Sequence, residues 1–389
     1  MSEREAQAGA VLTIDLGAIA DNYRRLQRHA PKAVCGAAVK ADAYGLGAEQ
    51  VAAALANAGC RHFFVAHLEE GIRLRPRLPS DAEIYILHGQ PHHIGADMEC
   101  VRHRLVPVLN SAVQIAGWRA LARRLNIALP AIVQVDSGMS RLGLSACETT
   151  AVLDDPDGLR GLELRYLMSH LACADQQDHP MNEAQLAAFE AMRARFPACK
   201  ASLANSSGIF LGPRYHFDLL RPGAALYGIA PVAGAANPMK PVVSLQARII
   251  QTRSIEAGDA VGYGAAYQAG SARRLATLSV GYADGWLRSL GKRGAVMVGR
   301  VRAPIVGRIS MDTCTIDVTD ADPAHVRPGA LVDLVSPAQT VDDVADAAGT
   351  IAYEILTSLG QRYHRRYLAA EPLHTRRPAE ASHAIEFNA

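Results

Sequence analysis

The sequence is poor in the features that would direct a chain to a membrane, a nucleic acid or an oxidising compartment. No apolar run reaches the roughly 20 residues that a spanning helix needs. The opening residues, Met1-Ser2-Glu3-Arg4-Glu5, are charged and lack a signal-peptide apolar core, so a cytoplasmic location is expected. Lysine and arginine number 40 against 38 aspartates and glutamates, and no long basic run or aromatic-basic stripe occurs. That balance argues against nucleic acid and membrane surfaces as partners. The cysteines are few and scattered: Cys35, Cys60, Cys100, Cys147, Cys173, Cys199 and Cys314. Their odd number and wide spacing fit neither a disulfide framework nor a zinc site, so they read as small apolar core residues. His88, His92 and His93 cluster loosely, but no acidic or cysteine partner lies near them in sequence, and no metal site is expected.

What the chain does contain is an alternation. Apolar runs fall at about 33–39, 62–66, 83–87, 105–109, 131–136, 162–169, 200–204 and 216–220. Helical patterns separate them, near 46–58, 68–75, 91–99, 111–125, 146–154, 182–196 and 206–211. An earlier helix, with Ile19, Tyr23 and Leu26 on one face, is stopped by Pro31. Eight strands alternating with helices predict a parallel sheet closed into a (β/α)8 TIM barrel. The alternative is an open doubly wound sheet. Such a sheet would normally carry a glycine-rich dinucleotide turn after its first strand, and none is present. Residues 231–241 hold Pro231, Gly234, Pro238 and Pro241 and suit a linker. Beyond them the pattern changes to short β-rich runs, with helices expected only at 341–348 and 352–359. The expected organisation is therefore an α/β barrel over 11–235, a mostly β domain over 236–370, and a loose tail over 371–389. The strand at 11–15 is open to either domain.

Barrel active sites lie at the carboxyl ends of the strands, so the residues just past each run carry the chemical argument. Past the first run stand Lys40 and Tyr44, and past the fifth Asp136-Ser137-Gly138-Met139-Ser140-Arg141. The sixth is followed by Ser169-His170, the seventh by Asn205-Ser206-Ser207-Gly208, and the eighth by Arg221-Pro222-Gly223-Ala224. A lysine at the end of a buried strand is desolvated, which lowers its pKa and frees the neutral amine for covalent attachment of an aldehyde. Taken alone, such a lysine can equally well snorkel to the rim. The loops after strands seven and eight are where barrels commonly hold a phosphate. A phosphate site at one end and a lysine at the other imply pyridoxal 5'-phosphate (PLP).

These segments resemble the alanine racemase family from about Leu12 to Tyr367. Ala38-Val39-Lys40-Ala41-Asp42-Ala43-Tyr44-Gly45-Leu46-Gly47 is similar to its PLP-lysine motif, and Ser169-His170-Leu171-Ala172-Cys173-Ala174-Asp175 to the motif whose histidine stacks on the pyridine ring. Val261-Gly262-Tyr263-Gly264-Ala265-Ala266-Tyr267 resembles the catalytic tyrosine motif, and Gly307-Arg308-Ile309-Ser310-Met311-Asp312 the substrate loop. The resemblance implies covalent PLP on Lys40, with Tyr44, His170, Ser206, Arg221, Gly223, Ala224 and Tyr353 around it. Arg221 would face the pyridine nitrogen. Arginine is donor-only and stays protonated, so it cannot protonate that nitrogen, and the ring remains a weak electron sink.

By the same resemblance Lys40 takes the proton of D-alanine and Tyr263 that of L-alanine, while Arg141 and Met311 contact substrate. Two faces of one carbon need two acid/base groups, and a lysine serves one face only. Tyr263 and Met311 are implied to come from the partner subunit of a homodimer. The implied role is supply of D-alanine for peptidoglycan. The rivals are a broad-specificity amino acid racemase, a barrel-type PLP decarboxylase and a non-enzymatic PLP-binding regulatory barrel. Tyr353, Ile351, Arg308 and Tyr282 match a narrow entrance, which argues against the first. Arg221 and the 262–267 motif argue against the second, and the presence of a second domain against the third. One position departs from the family: where it often has a carbamylated lysine, this chain has Gln134, which carries no negative charge. Gln134 is still able to accept a hydrogen bond from Arg141. A buried Arg141 would then need some other acceptor, a carboxylate or a bound anion.

Overall fold

Eight short parallel strands curl until the last meets the first. The computed structural model describes residues 3–89 and 95–369, apart from the Lys292 side chain. The first strand of the chain, β1 (Ala10–Asp15), is followed by a helix at Leu16–His29. The next apolar run, expected as one strand over 33–39, is split at Gly36 into β2 (Val34–Cys35) and β3 (Ala37–Ala38). A Cβ at Gly36 would stand 3.0 Å from His62 O and 3.1 Å from Leu220 O, so the neighbouring backbones would have to give by a few tenths of an ångström to take a larger residue. The barrel continues through β4 (His62–Val65), β5 (Glu83–Ile86), β6 (Leu105–Leu109), β7 (Leu129–Gln134), β8 (Leu162–Met168), β9 (Lys200–Ser202) and β10 (Leu219–Leu220). Strands β3 to β9 form one parallel sheet in sequence order, and β10 pairs with β2.

Backbone bonds close the ring. Gly36 N donates to Leu220 O at 2.9 Å and Ala38 N to Pro222 O at 2.8 Å on one side of β10. Asp218 N donates to Ala201 O and Arg221 N to Ala204 O, both at 3.0 Å, on the other. An open doubly wound sheet is thereby excluded. Alternate residues fill the barrel. Ala38, Phe64, Tyr85, Val106, Ile132 and Met168 pack together inside it, while Phe63, Ile84 and Val133, one position away, face the helices. This is the period of two expected of strands buried on both faces. Phe64 is 1% exposed, and truncating it to alanine would cost about 3–5 kcal/mol.

The helices follow the sequence pattern closely, at Ala48–Asn57, Leu68–Leu74, Ala112–Leu125, Ala146–Asp154 and Met181–Arg193. The stretch expected at 206–211 is only a 3-10 turn, Gly208–Leu211. The helix expected at 91–99 is found at Ala96–Arg102; residues 90–94, with His92 and His93, lie outside the described residues, as does the expected tail at 371–389. Cys35, Cys60, Cys100 and Cys314 are buried as expected of core residues, but Cys147 is exposed and Cys173 and Cys199 are half-buried. Cys147 sits in the first turn of a surface helix, where the side chain has nothing to pack against. Among the described residues no helix is long and apolar enough to cross a membrane.

The linker does not hang free. Lys240 N donates to Asn22 Oδ1 at 2.8 Å and Asn22 Nδ2 to Lys240 O at 3.0 Å, tying it to the first helix. After it comes β11 (Val243–Ile255), then β12 (Ala260–Val261), β13 (Tyr267–Gln268), β14 (Arg273–Leu278), β15 (Ala295–Val298), β16 (Val301–Pro304), β17 (Cys314–Asp317), β18 (Leu331–Val335) and β19 (His364–Leu368). The main path of this sheet runs β16-β15-β18-β11-β1-β19, and β14 pairs with β11 and β17. β1 thus pairs with the second domain's strands, antiparallel to β11 and parallel to β19. Helices stand at Val341–Ala348 and Ala352–Ser358. The last of these caps one rim of the barrel: a Cβ at Gly45 would lie 2.5 Å from Leu356 O, and Arg365 Nη1 donates to Gly45 O at 2.6 Å.

Candidate active site

A cavity of about 750 Å³ opens at the carboxyl ends of the barrel strands. Lys40, Tyr44, Arg141 and His170 line it, with Ser206, Arg221, Gly223, Ala224 and Tyr353. The fold thus brings together nine of the residues singled out in the sequence. Tyr263 and Met311 are not among the lining residues. They stand on the outside of the second domain, 71% and 54% exposed. Arg308, Tyr282 and Ile351 do not line the cavity either, so of the expected entrance only Tyr353 reaches it within one chain.

Lys40 follows β3 after Val39, half-buried. Burial lowers its pKa, the Arg141 charge lowers it further, and the Glu70 carboxylate raises it. The backbone immediately after it is unusual. Ala41, Asp42, Ala43 and Tyr44 have φ of 52, 54, 53 and 57°, four left-handed residues in succession. Each costs about 1–2 kcal/mol relative to a right-handed conformation. This turn places the Tyr44 ring under the cavity, 4.7 Å from the Tyr227 ring and 5.9 Å from that of Tyr353.

Across the cavity, Arg221 is buried and, among the described residues, bonded only to neutral acceptors. Its Nη1 donates to Ser202 Oγ at 2.5 Å and its Nη2 to Ser169 O at 2.6 Å, with longer bonds to Leu203 O and His170 Nδ1, both at 3.3 Å. Burial pushes its guanidinium down to about 9, so it remains charged at neutral pH. Because arginine only donates, His170 Nδ1 must be unprotonated, which places the ring proton on Nε2. Burial, together with the charges of Arg221, Arg141 and Lys40, pushes His170 down to about 3. The ring is therefore a neutral, flat surface beside a buried cation. Gln185 fixes the backbone beneath it, its Nε2 donating to His170 O at 2.9 Å.

The phosphate-suited loops also converge. Ser206 Oγ accepts from Gly223 N at 2.9 Å and from Ala225 N at 3.1 Å. A Cβ at Gly223 would fall 2.3 Å from Tyr44 Oη, so only glycine lets the tyrosine approach this loop. A lysine amine, a neutral imidazole, a buried guanidinium and a small cradle with hydroxyls from Ser206, Tyr44 and Tyr353 lie in one cavity. That donor set fits PLP: aldehyde, ring, ring nitrogen and phosphate each have a complementary group.

Gln134 and Arg141 differ from expectation. Gln134 is buried, but its Nε2 donates to Leu142 O at 3.1 Å instead of its oxygen accepting from Arg141. Arg141 itself is exposed in the single chain and, among the described residues, makes no hydrogen bond or ion pair. With the guanidinium in water, no second acceptor is required to offset burial. Sequence reasoning also passed over Ser202, which anchors Arg221, and Glu70, which lines the cavity near Lys40. Both sit inside ordinary strand and helix patterns with no local signal, and only the closure of the barrel brings them to the site.

The comparisons agree in both halves of the chain. A family model described as alanine racemase, N-terminal domain, matches residues 14–231, and one described as alanine racemase, C-terminal domain, matches 242–367. A catabolic alanine racemase of Mesorhizobium japonicum is 53% identical over 94% of this chain and 94% of its own length. An alanine racemase of Rhodospirillum rubrum is 50% identical over 93% of this chain and 97% of its own. Among solved structures, alanine racemase from Bartonella henselae, with covalently bound pyridoxal phosphate, superposes with a TM-score of 0.89 at 45% identity. The match covers 93% of this chain and 100% of that one.

Proposed function

The chain belongs to the alanine racemase family, PLP-dependent isomerases that interconvert L-alanine and D-alanine, and we propose that its cavity performs this reaction with Lys40 and Tyr263 as the two bases. The observation that carries the reading is the pairing of Lys40 with Arg221 in one cavity. When bound, PLP supplies an electron sink that acidifies the substrate's Cα–H. Lys40 would hold it covalently, His170 would lie against the ring, and Ser206, Tyr44, Tyr353 and the Gly223–Ala224 loop would hold the phosphate. Arg221 would face the ring nitrogen as a donor without passing it a proton, because a guanidinium loses its proton only well above neutral pH. Left unprotonated beside Arg221, the ring would be a weaker electron sink, which would favour return of a proton to the same carbon over side reactions.

Lys40 Nζ then takes or returns the proton on one face of the Cα. The other face needs a second group, and Tyr263 Oη is the candidate. Within its own chain Tyr263 is exposed and outside the cavity, so a two-fold homodimer that exchanges Tyr263 and Met311 completes both sites. Arg141, which makes no hydrogen bond or ion pair among the described residues, is the cation available to the substrate carboxylate. A cytoplasmic location and a supply of D-alanine for peptidoglycan follow as the physiological reading. A second reading, a catabolic role, is favoured by the name of the Mesorhizobium relative. The deciding experiment couples D-amino acid oxidase to the purified protein over a panel of L-amino acids. Fast D-alanine formation that is lost in Lys40→Ala supports the proposal. Faster turnover of large side chains would favour the broad-specificity rival, and carbon dioxide release without inversion the decarboxylase.

A further inference from the structure

The left-handed turn after Lys40 needs an external holder. Non-glycine residues visit this region singly, and a run of four persists only where the surroundings over-determine it. The turn makes some bonds of its own: Ala43 N donates to Val39 O, and Gly47 N to Asp42 O, both at 2.9 Å. The amide of Ala41, the residue joined directly to Lys40, leaves the turn instead. It donates to Glu70 Oε1 at 2.6 Å. The other oxygen of the same carboxylate accepts from Ala66 N at 2.7 Å and His67 N at 3.0 Å, just past β4. One side chain therefore spans the ends of the first two barrel strands. Glu70 belongs to the short helix Leu68–Leu74, and it is the only carboxylate lining the cavity among the described residues.

We propose that Glu70 is a positioning residue for Lys40: by accepting three backbone N–H groups at the ends of neighbouring strands it holds the left-handed turn, and with it the lysine amine, where proton transfer occurs. The inference rests on the reading of Lys40 given above. Glu70 does not touch the reacting carbon; it acts through the backbone and through its charge. Around Lys40, Arg141 presents a positive charge from the loop after β7, His88 and His170 present imidazoles from the ends of β5 and β8, and Tyr44 and Tyr353 line the same cavity. Against these, the Glu70 carboxylate favours the ammonium form of the lysine.

Glutamine in its place keeps the shape but has one acceptor oxygen, so it can serve Ala41 or the Ala66–His67 pair, not both. Aspartate keeps the charge and loses one methylene of reach. The test uses the holoenzyme of wild type, Glu70→Gln and Glu70→Asp. Three quantities are measured: hydrogen exchange of the Ala41 amide, kcat and KM for D-alanine, and the acid limb of the kcat–pH profile. With D-alanine the lysine must be neutral to accept the proton, so the acid limb reports its titration. Expected for Glu70→Gln are Ala41 exchange faster by about tenfold and kcat lower by about tenfold at little-changed KM. The acid limb should move to lower pH by about one unit, because a charge favouring the ammonium is gone. Glu70→Asp should leave the limb in place and lower kcat. Unchanged kcat and pH limb in Glu70→Gln, with only a lower melting temperature, would make Glu70 a purely structural residue and overturn the proposal. Racemisation surviving in Lys40→Ala would sink the functional reading alone, since Ala41 exchange does not depend on activity.

Discussion

If Tyr263 works across a dimer interface, two dead proteins should make a live one. The perturbation is a pair of variants, Lys40→Ala and Tyr263→Phe, each expected to be nearly inactive alone. Tyr263 is 71% exposed and outside the cavity that holds Lys40, so under the proposed mechanism the second base has to come from another chain. In a two-fold dimer each site then contains one Lys40 and the other chain's Tyr263. In a mixed dimer one site receives both lesions and the other neither, because its lysine comes from the Phe chain and its tyrosine from the Ala chain. Random exchange makes about half the dimers mixed, and half of their sites are intact, so about a quarter of all sites recover. The assay is co-expression or joint refolding of the two variants with PLP, followed by racemisation of alanine, with subunit exchange confirmed by mass. If Tyr263 served its own chain, every site of a mixed dimer would lack one base. Exchange confirmed, with activity no higher than in the separate variants, would refute the shared site.

Other outcomes follow from the same geometry. Gly223→Ala would place a Cβ 2.3 Å from Tyr44 Oη, with Tyr227 packed behind; stability should fall by about 1–3 kcal/mol and PLP should bind more weakly, read by melting and by absorbance titration. His170 has a folded-state pKa near 3 against 6.5 ordinarily, so the unfolded chain binds more protons between those values and stability drops as pH falls through that window. At pH 5 the loss amounts to about 2 kcal/mol relative to neutral pH, and His170→Gln should flatten the melting-temperature profile between pH 4.5 and 6.5 by that amount. Because position 134 is glutamine, kcat should be the same in bicarbonate-free and bicarbonate-supplemented buffer; a dependence traced to this site would refute the assignment.

The alternation of apolar runs and helical patterns was enough to specify a barrel, because strand and helix periodicities are local properties of the chain. The residues after the runs were enough to list most of the barrel's cavity groups, Glu70 excepted, because a parallel barrel collects its strand ends at one rim. Other features were not legible. The break at Gly36 depends on the approach of His62 and Leu220 backbones from other strands. The left-handed run at 41–44 has only one glycine beside it and reads as an ordinary turn, since what sustains it is Glu70 from the helix after the next strand and Arg365 from another domain. Ser202 became the anchor of Arg221 only when β9 and β10 closed side by side. Arg141, which by charge alone needed a buried partner, lies in solvent within the single chain, and exposure is a property of the packed surface. Residue type and order thus determined which chemistry the chain carries. Long-range contacts decided which groups hold the lysine in place and left Tyr263 facing outward, because a side chain's neighbours from distant segments exist only once the chain has folded.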